Sequence, residues 1–171
     1  MNVVARWGVV GLMLPLLALG VPAQARDKEV LGLVEKATIH PGDVTVRAKV
    51  DTGAKTTSLH CDCIHPFERN GAQWVSVKVE DQSGRVVTIE RKVARITSIK
   101  RHSGESQERY VIMLGLCVSD VYKEVEVNVV DRTGFNYPML IGRNFLKGDF
   151  VVDPELHYTH KPRCKNVSER K

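Results

Sequence analysis

Apolar and polar residues alternate through residues 44–50, where Val44, Val46, Ala48 and Val50 take one face and Thr45, Arg47 and Lys49 the other. A period of two marks a strand with one buried face. The alternation returns at residues 74–79 with Val75, Val77 and Val79, and residues 86–99 are rich in β-branched side chains at strand spacing. Residues 31–39, 58–64, 110–114 and 123–129 read as further strands, and apolar runs at 139–141 and 150–152 complete the set. Turns separate them at His40-Pro-Gly-Asp43, Asp81-Gln-Ser-Gly84 and Asp131-Arg-Thr-Gly134. Residues 66–72 read as a loop, 100–108 as a polar loop containing Ser103-Gly104, and 144–147 as one helical turn. Residues past His160 are polar and are expected to fray. Many short strands joined by Gly-rich turns, with no long amphipathic helix, predict an all-β barrel or sandwich.

Residues 1–25 break this pattern. Arg6 precedes an apolar run from Trp7 to Val21, and Ala23-Gln24-Ala25 supplies a small-x-small sequence. That combination predicts a cleavable signal peptide and a periplasmic or secreted protein. The run is short for a membrane span. Residues 26–160 then form a single domain, and 161–171 a polar tail. The formal charge is +5, but Lys and Arg are scattered, which argues for a solvated surface and against a nucleic-acid partner. Export permits disulfides. Cys61, Cys63, Cys117 and Cys164 allow three pairings, and their connectivity is open.

The candidate chemistry sits at the end of the most regular strand. Asp51 follows Val50 directly, with the hydroxyl of Thr52 beside it and Gly53 and the small Ala54 next. Asp-Thr-Gly is also ordinary turn sequence, so the triplet alone is weak. Peptide hydrolysis by carboxylates needs two of them around one water, one as base and the other as acid. Asp81-Gln-Ser-Gly84 and Asp131-Arg-Thr-Gly134 carry an extra residue before the glycine. The partner of Asp51 is therefore expected to be the same residue of a second subunit across a two-fold axis, and the protein a homodimer.

Residues 50–58, VDTGAKTTS, followed far downstream by residues 139–146, MLIGRNFL, resemble the two signature segments of retropepsins. Residues 48–60, 103–105, 109–112, 137–143 and 150–154 resemble more closely a bacterial retropepsin-like family whose members often carry the label "ATP-dependent zinc protease". The likeness spans residues 31–157. It implies a closed retropepsin-like β-barrel, an aspartic endopeptidase acting on peptides or peptide-like conjugates, and a dimer with Asp51 as the catalytic carboxylate of each subunit. It also implies that Thr52 bonds across the dimer axis, that Gly53 admits substrate and partner backbone, and that Ala54 completes the loop. Gly142 would lie on the strand behind that loop, with Arg143 and Asn144 opening a short helix and Arg143 at an interface or in an ion pair. Thr57 and Cys61 depart from residues common in the family, Ser and Ala. No Gly-rich flap tip is evident, and the cover over the cleft is open between residues 78–93 and 100–108.

The label's zinc and ATP find no support in the residues. His-Glu-x-x-His and the Gly-x4-Gly-Lys phosphate cradle are both missing from the sequence, so neither a metal nor a nucleotide cofactor is expected. His60-Cys61-x-Cys63-x-His65 has zinc-type ligands, but on a strand they would face both ways. His102, His157 and His160 read as solvated, and Trp74 and Tyr110 as core or rim. Two rivals stand beside the peptidase: a catalytically silent peptide-binding domain of the same fold, and a zinc hydrolase using the His60 to His65 cluster.

Overall fold

The computed structural model describes residues 27–61, 64–99, 106–164 and 167. The expected signal peptide, Cys63, His102 and the Ser103-Gly104 pair lie outside these residues. In chain order the strands are β1 (Glu29–Leu31), β2 (Val34–His40), β3 (Val44–Val50), β4 (Thr57–His60), β5 (Ile64–Arg69), β6 (Ala72–Glu80) and β7 (Val86–Ile99). They continue with β8 (Gln107–Val118), β9 (Val121–Val130), β10 (Met139–Ile141), the one-turn helix α1 (Arg143–Leu146) and β11 (Phe150–Val152).

Six strands close into a barrel in the order β2-β3-β10-β4-β9-β8, because β8 pairs back onto β2 through Cys117 opposite Thr38 and Leu116 opposite Ile39. The alternating side chains explain the closure. Ala48, Leu59, Ile112, Leu114, Val127 and Ile141 fill the interior, each at most 1% exposed. Burying each large one contributes roughly 1.5–3 kcal/mol. The N-terminal half of β8 pairs with β7, and β6 and β5 continue that sheet, whose Val75, Val77 and Val79 share one core with the barrel. A separate two-stranded parallel sheet joins β1 to β11. The fold class is therefore the expected closed β-barrel, with a β-sheet extension.

Four local expectations change. Residues 66–72 are not a loop but the core of the β5–β6 hairpin, with Arg69 opposite Ala72. Asn70 and Gly71 have φ of 53° and 69°, the two positive values a type I′ turn requires. Residues 31–39 are not one strand either. The chain breaks after β1, where Glu35 Oε1 accepts the Gly32 N–H at 2.7 Å and Leu33 donates to the Leu156 carbonyl. Third, the polar tail is anchored rather than frayed as far as Cys164, which forms a disulfide with Cys117 and donates its N–H to Cys117 Sγ. Closing a 47-residue separation in this way stabilises by about 4 kcal/mol in the chain-entropy picture. Finally, His160 sits 3.1 Å from Glu29 instead of standing alone in solvent.

Candidate active site

Val50 ends β3 at the mouth of the barrel, and Asp51 continues it by donating its N–H to the Ile141 carbonyl on β10. The chain then turns within its own carboxylate's reach. Asp51 Oδ1 accepts the N–H of Gly53 at 2.9 Å and of Ala54 at 3.2 Å. Oδ2 takes no hydrogen bond among the described residues. One oxygen is thus spent on holding the loop, and the other is available for chemistry. Thr52 and Gly53 are exposed, and Asp51 is half-buried.

A second layer fixes that loop from behind. Gly142 ends β10 and caps α1, and a side chain there would meet the Thr56 carbonyl carbon at 2.7 Å. Only glycine lets the two backbones lie this close. Arg143 donates its N–H to Ala54 O, and its Nη1 bonds the carbonyls of Thr52 at 2.9 Å and Gly53 at 2.6 Å. Arg143 is therefore a clamp on the loop carbonyls rather than half of a buried ion pair. Asn144 Oδ1 accepts both the N–H and the hydroxyl of buried Thr57, at 3.0 and 2.9 Å, and its Nδ2 donates to Glu126 O. Thr57 Oγ1 in turn accepts the Gly142 N–H at 3.1 Å. Asp51, Thr52, Gly53, Ala54, Gly142, Arg143 and Asn144 thus form one connected assembly. Thr57, which the sequence marked only as a departure, is its central hydrogen-bonding hub.

Sequence reasoning missed two cations. Arg132 lies in the 131–134 turn, and its Nη1 bonds Ser58 Oγ at 2.9 Å. Its pKa is held down first by burial and next by the charge of Arg109 on β8, while the Asp51 carboxylate opposes the fall. Arg109, Arg132 and Asp51 therefore share one electrostatic neighbourhood. Nothing in the spacing of 51, 109 and 132 signals this, since three separate strands bring them together.

The cover is also decided by position. The β6–β7 turn lies at the opposite end of β3 from Asp51, where Arg85 Nη2 bonds the Asp43 carbonyl at 2.7 Å. Seven residues of strand separate the two ends by about 20 Å, so the β6–β7 turn itself does not lie over Asp51. The β7–β8 arms around residues 97–99 and 107–109 occupy the Asp51 side, and their tip at 100–105 lies outside the described residues. The proposed zinc cluster is dispersed among different environments: His60 Nδ1 accepts the Arg132 N–H at 2.8 Å, Cys61 is buried in the core and His65 is exposed. Trp74 stacks on Phe67 with Arg69 against both rings, at the rim.

A closed six-stranded barrel with an Asp-Thr-Gly loop clamped by a Gly-Arg-Asn helix start defines a retropepsin-type protein. Residues 30–163 match the family described as RimB-like, retropepsin-like aspartic endopeptidase RimB, and the chain belongs to that family. It is similar to a Legionella pneumophila protein of unknown function, at 32% identity and a TM-score of 0.67, covering 79% of this chain and 100% of that one. Two relatives named as probable alpha-L-glutamate ligases also match. That of Shewanella pealeana is 37% identical over 116 residues, 66% of this chain and 25% of its own. That of Desulfotalea psychrophila is 34% identical over 118 residues, 67% of this chain and 25% of its own. The chain thus spans about a quarter of the length of these relatives.

Proposed function

We propose that this protein is an exported, homodimeric aspartic endopeptidase in which two Asp51 carboxylates, one per subunit, activate a single water. Asp51 carries the reading: it ends a rigid strand, uses one oxygen to hold its own loop and leaves the other without a partner among the described residues. Two such carboxylates close together cannot both ionise, so they share a proton. The ionised one takes a proton from the water as it attacks the peptide carbonyl, and the protonated one gives its proton to the leaving nitrogen as the C–N bond breaks.

A second subunit is needed because the other Asp-containing turns are differently built. The exposed Thr52 borders a cavity of about 340 Å³ lined by Leu146, Phe150, Val151 and Val152, which a two-fold partner would cover. Thr52 would bond across the axis and Gly53 would admit the substrate, while Gly142, Arg143 and Asn144 hold the loop. The signal-like residues 1–25 support export.

The substrate class follows from charge and from the relatives. Arg109 and Arg132 repel each other beside Asp51, and an acidic side chain placed between them relieves that repulsion. Glutamyl peptides suit this, in keeping with the ligases that contain a similar segment. The test is cleavage of hexa-α-L-glutamate and of a neutral peptide library by wild type and Asp51→Asn, with sedimentation in parallel. Preferential cleavage of the acidic peptide, lost in a dimeric Asp51→Asn protein, is expected. A monomer at every accessible concentration would sink the shared-carboxylate mechanism. A wild type that binds peptide and leaves it intact would return the fold to a binding role.

A further inference from the structure

A groove of about 840 Å³ runs beside the Asp51 loop. Lys55 and Thr56, which leave the loop, form its near wall, and Arg95, Thr97 and Ile99 on the β7 arm form its far wall. Asp51 itself does not line it; the groove leads away from the carboxylate under the hairpin. Several polar side chains around it have protein partners. Arg95 and Glu126 hold each other through three contacts of 2.6–3.2 Å, Arg143 clamps the loop carbonyls, and Asn144 bonds at both ends of its amide.

Asn128 is buried without one. It lines the groove at 7% exposure, and its side-chain amide makes no hydrogen bond among the described residues, with Oδ1 buried and unpartnered. Its neighbours Val127 and Val129 enter the barrel core, so Asn128 lies on the opposite face of β9. There it is in register with Ser58 on β4, the residue that holds Arg132, and with Val111 on β8. An orphaned buried carbonyl costs about 1–3 kcal/mol. A leucine has nearly the same shape and would escape that cost.

The chemistry of the amide indicates what relieves it. Asparagine presents an acceptor and a donor in one plane, and rotation about χ2 exchanges them. Since neither end is held internally, the amide is able to turn toward the groove. An extended peptide presents N–H and C=O groups of the same two kinds along its edge. We propose that Asn128 is a substrate-binding residue that hydrogen-bonds the main chain of an extended peptide lying in this groove. The inference rests on the peptidase reading and adds a specific contact to it, one made with backbone and therefore independent of the substrate's side chains.

The test compares Asn128→Leu with the native residue, each in full chains carrying Asp51→Asn for binding and in active chains for kinetics. The probes are fluorescein-labelled hexa-α-L-glutamate and a labelled neutral hexapeptide. Asn128→Leu is expected to keep or raise Tm while weakening binding of whichever probe the protein holds by about tenfold, and to raise KM with kcat within about twofold. Higher Tm with unchanged binding would overturn the proposal, leaving Asn128 a tolerated structural defect. Failure of the Asp51→Asn chain to bind either peptide would also overturn it. Should Asn128→Leu not fold, Asn128→Asp keeps the shape and places a charge in the groove; a folded Asp variant that binds hexaglutamate as tightly as its parent overturns the proposal equally. Asn128-dependent binding without any cleavage by wild type would defeat the catalytic reading alone.

Discussion

Three Asp-led turns of this chain contain a glycine, and in only one of them does the carboxylate hold backbone N–H groups alone. Asp81 Oδ1 accepts the N–H and hydroxyl of Ser83 and the N–H of Arg85, and Oδ2 accepts from Arg85 Nε at 3.1 Å. Asp131 Oδ1 accepts the N–H and hydroxyl of Thr133, at 2.8 and 2.5 Å. Both acids are held below the ordinary aspartate range, in each case chiefly by the hydroxyl two residues on. The same hydroxyls tie both acids to their own turns. In Asp51-Thr-Gly the hydroxyl comes one residue earlier, out of reach of that bond, and Gly53 offers only its backbone N–H. One position in the spacing of a hydroxyl thus separates two acids that hold a side-chain hydroxyl from one that holds backbone N–H groups alone.

The largest test of this contrast replaces each acid in turn. Asp51→Asn is expected to lower kcat/KM by about 10²–10⁴-fold or more, with an unchanged Tm, whereas Asp81→Asn and Asp131→Asn leave kcat/KM within about twofold. Comparable losses at all three would erase the distinction. Gly53→Ser next converts the Asp51 turn into a copy of the other two, placing a hydroxyl two residues after Asp51 and a Cβ 3.1 Å from its Oδ1. Activity is expected to fall at least about tenfold in a protein that still sediments as a dimer. Full activity would mean that the hydroxyl position does not decide availability.

The support behind the loop predicts a change in stability as well as rate. Asn144→Ala leaves the buried Thr57 N–H and hydroxyl without their acceptor, a cost of about 2–4 kcal/mol. Urea denaturation is expected to show it, and a loss under 1 kcal/mol would deny Thr57 its central place. The smallest effect belongs to pH. Because the folded value of Asp81 lies below its unfolded one of about 4, its contribution is complete above that pH and is lost as pH falls. Tm of the wild type should therefore exceed that of Asp81→Asn near neutrality, and the gap should narrow on acidification below pH ~4. A gap that widens toward acid would reverse the sign.

Much of this was legible locally because its causes are local. The alternation of residues 44–50 and 74–79 appears directly as β3 and β6, and Asp51 falls at the strand end where it was expected. The β5–β6 hairpin was legible too: Asn-Gly between Phe67 and Trp74 is a strong hairpin signal, but Pro66 and the charges of Glu68 and Arg69 masked the strand before it. Edge strands tolerate such residues, since one side of β5 faces no partner.

Sequence alone therefore determined the strand-rich class and the loop that carries Asp51, both set by side-chain period and turn chemistry within a few residues. Tertiary structure decided what depends on distant residues meeting. It closed the barrel through β2 and β8, chose Cys117 and Cys164 from among the possible pairings, and brought Asn144 to Thr57 across 87 positions. It also set Arg109 and Arg132 beside Asp51 and left Asn128 without a partner among the described residues. Periodicity records which face of a strand is buried; only pairing of the strands determines which neighbours that face acquires.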